Sequence, residues 1–432
     1  MSRQGEVALR YRRFRVFFRW LGSGALAIFL ATSSALGTAA PGWAQLLPPE
    51  VRDAFLSSPL DDEPLDPLLP QPPIRRPLSP LEQYQLEQEL DELALLAEAI
   101  ALGEAVPIEP GPDGELPDPN DIWMREVRLR RLLGVERELP AIRRVAQWMR
   151  DRTATQELQL LAARLREIQQ DLDPSVTADR DRLLELAEIY AILGEVDDAA
   201  VIHQALANQA LAVGNEEEFQ TQLETLANLQ TAWFYFDDAA ATYGELLELA
   251  QRQPGRENEM RYLRAQSYNL EQAQEFTAAI SAQARLLDIY TQADVFWPLV
   301  PPLQHDIAAN YLALGNLTEA SRYFRSAYTN ALSQQQFSVA ADALRSLAEV
   351  YAALERWDDI RYLYEQLILV ERQANNAFGL MAAFDALGQL YEQLGDPAAA
   401  LAAYQEALVM ARTLDHREDY FEAQIARLVG QG

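Results

Sequence analysis

The stretch LGQLYEQLGDPAAALAAYQEA, residues 387–407, decides the fold. Leu387, Gly388 and Tyr391 place an apolar, a small and an aromatic residue within one turn of each other. Ala400 and Tyr404 then repeat a small residue and an aromatic at a spacing of four. Spacings of three and four put side chains on one face of a helix. The stretch therefore predicts two helices that pack face to face.

A short turn separates these two helices. Gly395 is followed by Asp396 and Pro397. Asp is a favoured N-cap, and Pro is favoured at the first helical position, where a missing N–H costs nothing. The spacing predicts that the second helix begins at Pro397 with Asp396 as its cap.

The same pattern recurs through residues 176–416. Its second anchor falls at positions 199, 239, 279, 320, 360 and 400, which gives a period of about 40. Small residues would let the paired helices approach, and aromatics would fill the space between pairs. The predicted packing residues are Ala187, Tyr190, Ala199, Ala227, Ala239, Ala279, Ala308, Tyr311, Ala320, Ala348, Tyr351, Gly388, Tyr391, Ala400 and Tyr404. The six predicted units are 176–215, 216–255, 256–296, 297–336, 337–376 and 377–416, with 417–432 as a capping helix.

This pattern resembles the tetratricopeptide repeat (TPR), although the period exceeds the usual 34 residues. The resemblance covers the six units. It implies an all-α fold, a right-handed superhelical α-solenoid of helix hairpins, and longer helices than usual. It also implies a scaffold that binds a protein or peptide in the groove lined by the first helix of each pair.

The first 44 residues have the pattern of an export signal. A front end rich in Arg precedes an uncharged, apolar segment from Trp20 to Ala40. Gly42 and Ala44 are the small residues that a signal peptidase requires, so cleavage is predicted between Ala44 and Gln45. The alternative is an uncleaved anchor, because about 20 apolar residues span a bilayer. Either interpretation places the remainder in the periplasm or another extracytoplasmic compartment, free or anchored at the inner membrane.

Sixteen of the 23 Pro residues lie between positions 41 and 120. This density predicts a disordered linker over 45–80 and a loop over 105–120, because Pro blocks helix and sheet hydrogen bonding. Between them, residues 81–104 are predicted as an isolated acidic helix that either docks on the repeats or makes a short coiled-coil contact.

Residues 121–175 are predicted to form an Arg-rich helical hairpin or a divergent first repeat. Asp121 is the expected cap of its first helix. Basic clusters of this kind bind phosphate or lipid head groups in some proteins. The alternative is that the Arg side chains pair with nearby acids, including those of residues 45–120, which carry 17 acidic residues.

Composition excludes several classes of function. The chain has 36 Arg, no Lys, 65 acidic residues and a net charge of −29, which argues against nucleic acid as a partner and against membranes except through the N-terminal segment. It has no Cys and three widely spaced His, so no metal or cofactor is expected. A non-catalytic protein is expected, and the solenoid part of a glycan-cleaving enzyme is the remaining catalytic alternative.

The resemblance also indicates where a ligand would bind. Residues two, six and nine places before the aromatic anchor would line the groove, and in the middle units these include cations and one aromatic: Arg261, Arg264, Tyr268, His305 and Arg345. Guanidinium groups bind carboxylates. These residues predict a site for an acidic or C-terminal peptide. The alternative is that Glu224, Glu349 and neighbouring acids neutralise them internally.

Overall fold

A computed structural model describes residues 47–62, 66, 68–69, 76–104 and 118–430. The predicted export signal with its cleavage site, and most of the predicted loop 105–120, lie outside these residues. The described residues contain eighteen α-helices and no strand, which confirms the all-α prediction. They divide into two compact units, Met1–Arg164 and Leu165–Gly432.

The N-terminal unit contains four helices and the start of a fifth. Two 3-10 turns, Pro59–Asp61 and Arg131–Leu133, lie between them. The helices are α1 (Pro49–Leu56), α2 (Pro80–Ala101), α3 (Pro119–Arg130), α4 (Val135–Asp151) and α5 (Thr155–Gln170), the last of which continues into the second unit.

The structure differs from the prediction of a disordered linker over 45–80. Its described part includes α1, in which Pro49 occupies the first turn, where Pro favours a helix instead of blocking it. Phe55 and Leu69 are buried. Asp62 and Asp66 form ion pairs with Arg128 and Arg125 of α3. Proline density was a poor guide here because these long-range pairs hold the segment on the helix.

The helix predicted over 81–104 forms, but it is not isolated. Ser79 and Glu82 form a reciprocal capping box, and Pro80 lies in the first turn. Leu86 and Leu90 are buried against Leu129 of α3, together with Leu69. An apolar stripe on one face of α2 is thus covered within its own unit.

Most Arg residues of this segment pair with acids, as its second interpretation predicted. Arg130 bonds Glu126 at 2.6 Å and Asp91 at 2.5 Å. Glu138 accepts from Arg131 at 3.4 Å and from Arg164 at 2.7 Å. The cap of α3 is Asp118, whose side chain accepts from the Asn120 N–H, and not the predicted Asp121. Pro119 shifts the start of the helix because it suits the first helical position.

The second unit is a succession of antiparallel helix pairs followed by a single helix. In each pair the first helix packs on the second, and the second packs on the first helix of the next pair. The pairs are α6 (Thr177–Leu193) with α7 (Val196–Ala212), α8 (Glu216–Ala232) with α9 (Phe236–Ala250), α10 (Glu257–Gln272) with α11 (Phe276–Thr291), α12 (Val300–Ala313) with α13 (Leu317–Ser333), α14 (Phe337–Ala353) with α15 (Trp357–Gln373), and α16 (Ala377–Gln393) with α17 (Pro397–Leu414). This is an α-solenoid of helix hairpins.

The predicted packing residues lie at the helix contacts. All the small ones are buried, as are Tyr190, Tyr351 and Tyr404, whereas Tyr311 and Tyr391 are half-buried. Gly388 shows why a small residue is needed. A methyl group on its Cα would lie 2.7 Å from the Tyr404 ring. In this pair, Gly388 of the first helix is covered by the Tyr404 ring of the second helix, and not by the small residue Ala400.

The turn predicted before Pro397 is confirmed, with the Asp396 carboxylate accepting from the Ala399 N–H at 3.0 Å. After α17 the chain enters α18 (Glu418–Val429). Phe421 and Leu428 of α18 are buried in the core of the last pairs. The helix closes the apolar surface of the last pair, which stacked repeats require at their ends.

Candidate binding face of the repeat unit

The candidate site lies on the exposed surface of α6, α8, α10, α12, α14 and α16, which we call the first-helix face. The five residues predicted for partner binding belong to its central helices. Arg261, Arg264 and Tyr268 lie on α10, His305 on α12 and Arg345 on α14. Their surroundings differ widely.

Arg261 forms an ion pair with a residue of the preceding helix pair. Its guanidinium bonds the Glu224 carboxylate at 2.6 Å and lies over the Tyr262 ring at 4.8 Å. The Tyr262 hydroxyl also donates to Glu224. Although burial raises the pKa of Glu224, hydrogen bonds from Tyr262 and Gln220 and the charge of Arg261 hold it below its ordinary value. Glu224 therefore stays charged and neutralises Arg261, as the alternative interpretation anticipated.

Arg264 is different. It is exposed on the same face of α10, one turn from Arg261. Among the residues that the structure describes, Arg264 has no acidic partner. Tyr268, one turn further, is 40% exposed and meets the Phe236 ring edge-on at 6.5 Å. A cation and an aromatic ring thus lie one helical turn apart on α10.

His305 packs into the array instead of pointing away from it. Its ring meets Phe324 at 5.2 Å, and Nε2 lies 3.2 Å from the Ser346 hydroxyl. Burial raises the pKa of nearby Glu349, and a positive charge on His305 would partly offset that rise. The contacts of His305 are those of a packed side chain.

Arg345 joins two helices. It bonds Asp342 at 3.0 Å and also the carboxylate of Glu371 on α15, which is buried. Asn376 donates to the same carboxylate at 2.8 Å. A buried carboxylate requires such partners. Arg345 therefore neutralises Glu371, which leaves Arg264 as the most available cation of the predicted set.

The sequence interpretation missed two groups of residues. No sequence pattern indicated a role for Glu371, because its cationic partner Arg345 lies 26 residues away on another helix. The second group is the turn between α8 and α9, where Trp233, Phe234 and Tyr235 are exposed. A run of four aromatics, completed by Phe236, was a visible signal for it.

The described residues contain no group of three or more His, Asp or Glu side chains placed to hold a metal ion. His203, which has the most buried of the His side chains, has its Nδ1 2.9 Å from the Gln222 side-chain oxygen. No described helix combines the length and the apolar composition that crossing a bilayer requires.

Comparison with known proteins agrees with this architecture. A family profile of the tetratricopeptide repeat matches residues 339–413, which cover most of α14 to α17. No curated protein matches the sequence. Arrays of this kind present extended surfaces to other proteins.

Several solved structures are similar to the chain at low identity. BtubC from P. vanneervenii has a TM-score of 0.37 and 18% identity, covering 51% of this chain and 92% of that one. A signal-transduction ATPase with a tetratricopeptide sensor from Pyrococcus horikoshii gives 0.38 and 15%, covering 81% and 52%. A Rap protein complexed with competence and sporulation factor gives 0.31 and 14%, covering 81% and 98%. At these values the similarities identify no partner and no activity.

Proposed function

We propose that this chain, which carries tetratricopeptide repeats, is an exported, non-catalytic scaffold that binds a carboxylate-bearing segment of another protein on its first-helix face. The observation that carries the proposal is the exposed Arg264 guanidinium, which has no acidic partner among the described residues, beside the partly exposed Tyr268. Arg261 and Arg345 are engaged by Glu224 and Glu371.

The chemistry of this pair suits a short peptide. A guanidinium can donate two parallel hydrogen bonds to one carboxylate, whether an Asp or Glu side chain or a chain terminus. The exposed ring of Tyr268 offers apolar area to the next side chain of the ligand. One ion pair and one ring contact support an affinity on the order of micromolar, or about −8 kcal/mol.

The test is peptide binding by the purified full-length protein. A pool of hexapeptides with free C-terminal carboxylates is screened by fluorescence anisotropy, and each binder is repeated as its C-terminal amide and with its acidic residues changed to amides. We expect Arg264→Glu to weaken binding by about a hundredfold, because an attractive pair becomes a repulsive one.

Arg361→Glu is the matched control. Arg361 is also exposed, but it lies on the second helix α15 and pairs with Asp358 at 3.6 Å. The Arg361→Glu substitution makes the same change of charge as Arg264→Glu but away from the proposed site, so peptide binding should persist. Equal losses in the two variants would show that only net charge matters and would overturn the assignment to the first-helix face.

Export is a separate part of the proposal. It is supported by the Arg-rich front end, the apolar segment and the small residues Gly42 and Ala44. Mass spectrometry of the protein recovered from cell fractions would identify its first residue. A chain beginning at Gln45 in an extracytoplasmic fraction supports cleavage and export. An intact N-terminus in the membrane fraction supports the anchored alternative, and an intact chain in the cytoplasm overturns both.

A further inference from the structure

The turn between α8 and α9 exposes three consecutive aromatic residues. Trp233, Phe234 and Tyr235 are 38%, 75% and 38% exposed. Large aromatic side chains are normally placed where their area is buried. Three adjacent exposed rings in one turn therefore require an explanation, which the packing of the helices does not provide.

The backbone of this turn also has an unfavourable conformation. Phe234 has φ of +67°, in the left-handed region that bulky residues avoid. The corresponding residue is glycine in three other pairs, at Gly194, Gly315 and Gly395, and it is Gln274 or Glu355 in the remaining two. Glycine adopts this conformation without steric penalty. A bulky ring at this position thus costs stability that glycine would not.

The exposed rings form part of a continuous aromatic surface. Phe234 meets Phe236 edge-on at 5.8 Å, and Phe236 meets Tyr268 in the same way at 6.5 Å. On the other side, Trp233 reaches the preceding turn, where a methyl group on Gly194 would lie 3.2 Å from its ring. The surface therefore crosses from one helix pair to the next, and Phe234 is its most exposed point.

Carboxylates lie beside Tyr235 at one side of this surface. Asp197, Asp237 and Asp238 lie in the first turns of α7 and α9, and none forms an ion pair among the described residues. Asp197 and Asp238 lie close enough to Tyr235 to help burial raise the pKa of its phenol. Helix N-termini favour such acids, which accounts for their position. It does not account for the rings, and the two together form an aromatic surface with a negative rim.

We propose that this aromatic turn, consisting of Trp233, Phe234, Tyr235 and the three Asp residues, binds a basic segment of a partner protein. Arg or Lys side chains satisfy both features at once, since cations bind carboxylates and also the faces of aromatic rings. Apolar side chains between them would cover Phe234. The acidic rim repels nucleic acid and anionic lipid. This ligand is opposite in charge to the one proposed for the first-helix face.

The test uses a fluorescein-labelled ten-residue peptide of alternating Arg and Leu, titrated with the full-length protein. Two comparison peptides carry Glu in place of Arg, or Ser in place of Leu. We expect Phe234→Gly to weaken binding of the Arg–Leu peptide by about tenfold while raising Tm by about 2 °C. A loss of binding together with a gain of stability excludes misfolding as its cause.

Gln335→Gly is the matched control. Gln335 also has a positive φ, of 59°, and is exposed and uncharged, but it lies in the turn between α13 and α14. The same relief of strain should raise Tm and leave binding unchanged. The triple variant Asp197→Asn, Asp237→Asn, Asp238→Asn should weaken binding and reduce its salt dependence.

Three results would overturn the proposal. The first is equal affinity of the wild-type protein and Phe234→Gly, which would show adsorption to net negative charge alone. The second is equal affinity for the Arg–Leu and Glu–Leu peptides. The third is a dimer of the wild-type protein in sedimentation that Phe234→Gly abolishes, which would make a second copy of the chain the occupant.

Discussion

The two units of this protein hold their helices together by different means. In the N-terminal unit, Glu126 and Glu138 are fully buried and bind Arg residues from several segments. In the repeat unit, most contacts are made by small residues such as Ala199 and Ala320 with rings beside them, although the buried Glu371 pairs with Arg345 there as well. Stacking of equivalent surfaces needs few specific pairs, whereas a non-repeating unit must satisfy each buried charge individually.

This difference predicts how the two units respond to substitution. A change at a buried charge should damage one local network severely. A change at one repeat contact should damage that repeat and its neighbour moderately, because each repeat touches only the adjacent ones. The three predictions that follow test this contrast in order of decreasing effect.

The largest effect is expected from Glu138→Ala. Arg131 and Arg164 bind this carboxylate, and both guanidinium groups are mostly buried. Removing the carboxylate takes away the acid that both guanidinium groups share, and breaking a buried ion pair in this way costs about 3–5 kcal/mol. Hydrogen exchange should show lost protection in α3 and α4, with α16 and α17 unchanged. Asp359→Ala, which breaks an exposed pair with Arg356, should cost less than about 1 kcal/mol. Similar losses of unfolding free energy in Glu138→Ala and Asp359→Ala would contradict the proposed difference between the two units.

The second effect is expected from Gly388→Ala. The added methyl would lie 2.7 Å from the Tyr404 ring, so helices α16 and α17 must move apart. Overpacking of this kind costs about 1–3 kcal/mol. Urea unfolding and hydrogen exchange should place the loss in the last pairs.

Gly244→Ala in α9 is the control for this prediction. Its added methyl meets only the end of the Gln266 side chain, at 3.3 Å. Removing a helical glycine there should be neutral or stabilise by up to about 1 kcal/mol. A loss as large as that of Gly388→Ala would mean that helix propensity and contact distance do not explain the repeat pattern.

The smallest effect concerns pH. Burial lowers the pKa of His203 below its ordinary 6.5, and the Gln222 hydrogen bond offsets this only in part. Below pH 6.5 the unfolded chain takes up a proton that the folded chain resists, so stability is complete above this pH and falls as the pH decreases. Urea unfolding at about pH 7 and pH 5.5 should show this loss, and His203→Gln should show less of it. An unchanged pH dependence in the variant would assign the effect to other groups.

Much of the repeat unit could be predicted from sequence. A helix pair is predicted by the helical spacings around Gly388 and Tyr404 and by the adjacent turn residues Asp396 and Pro397. All of these signals are local in sequence. The N-terminal unit was harder. Proline density suggested an unstructured linker over 45–80, yet part of it forms α1 and its acids bind α3. No local pattern shows that Asp66 and Arg125, 59 residues apart, will meet.

The candidate site could likewise be predicted only in part from the sequence. The repeat register identified Arg264 and Tyr268 as groove-facing, and both are exposed. It identified Arg261 and Arg345 equally, although their acidic partners lie 37 and 26 residues away. Register gives the direction of a side chain on a helix but not the charge that a neighbouring helix brings to it.

By itself, the sequence determined the helix pairs, their number and the residues at their contacts, because a period of about 40 residues fixes which side chains share a face. Only the tertiary structure decided which charges are already neutralised and which rings remain exposed. Those properties depend on distances between helices far apart in the chain. Arg264 keeps its charge available while Arg345 does not, because packing brings the buried Glu371 to Arg345 and no described carboxylate to Arg264.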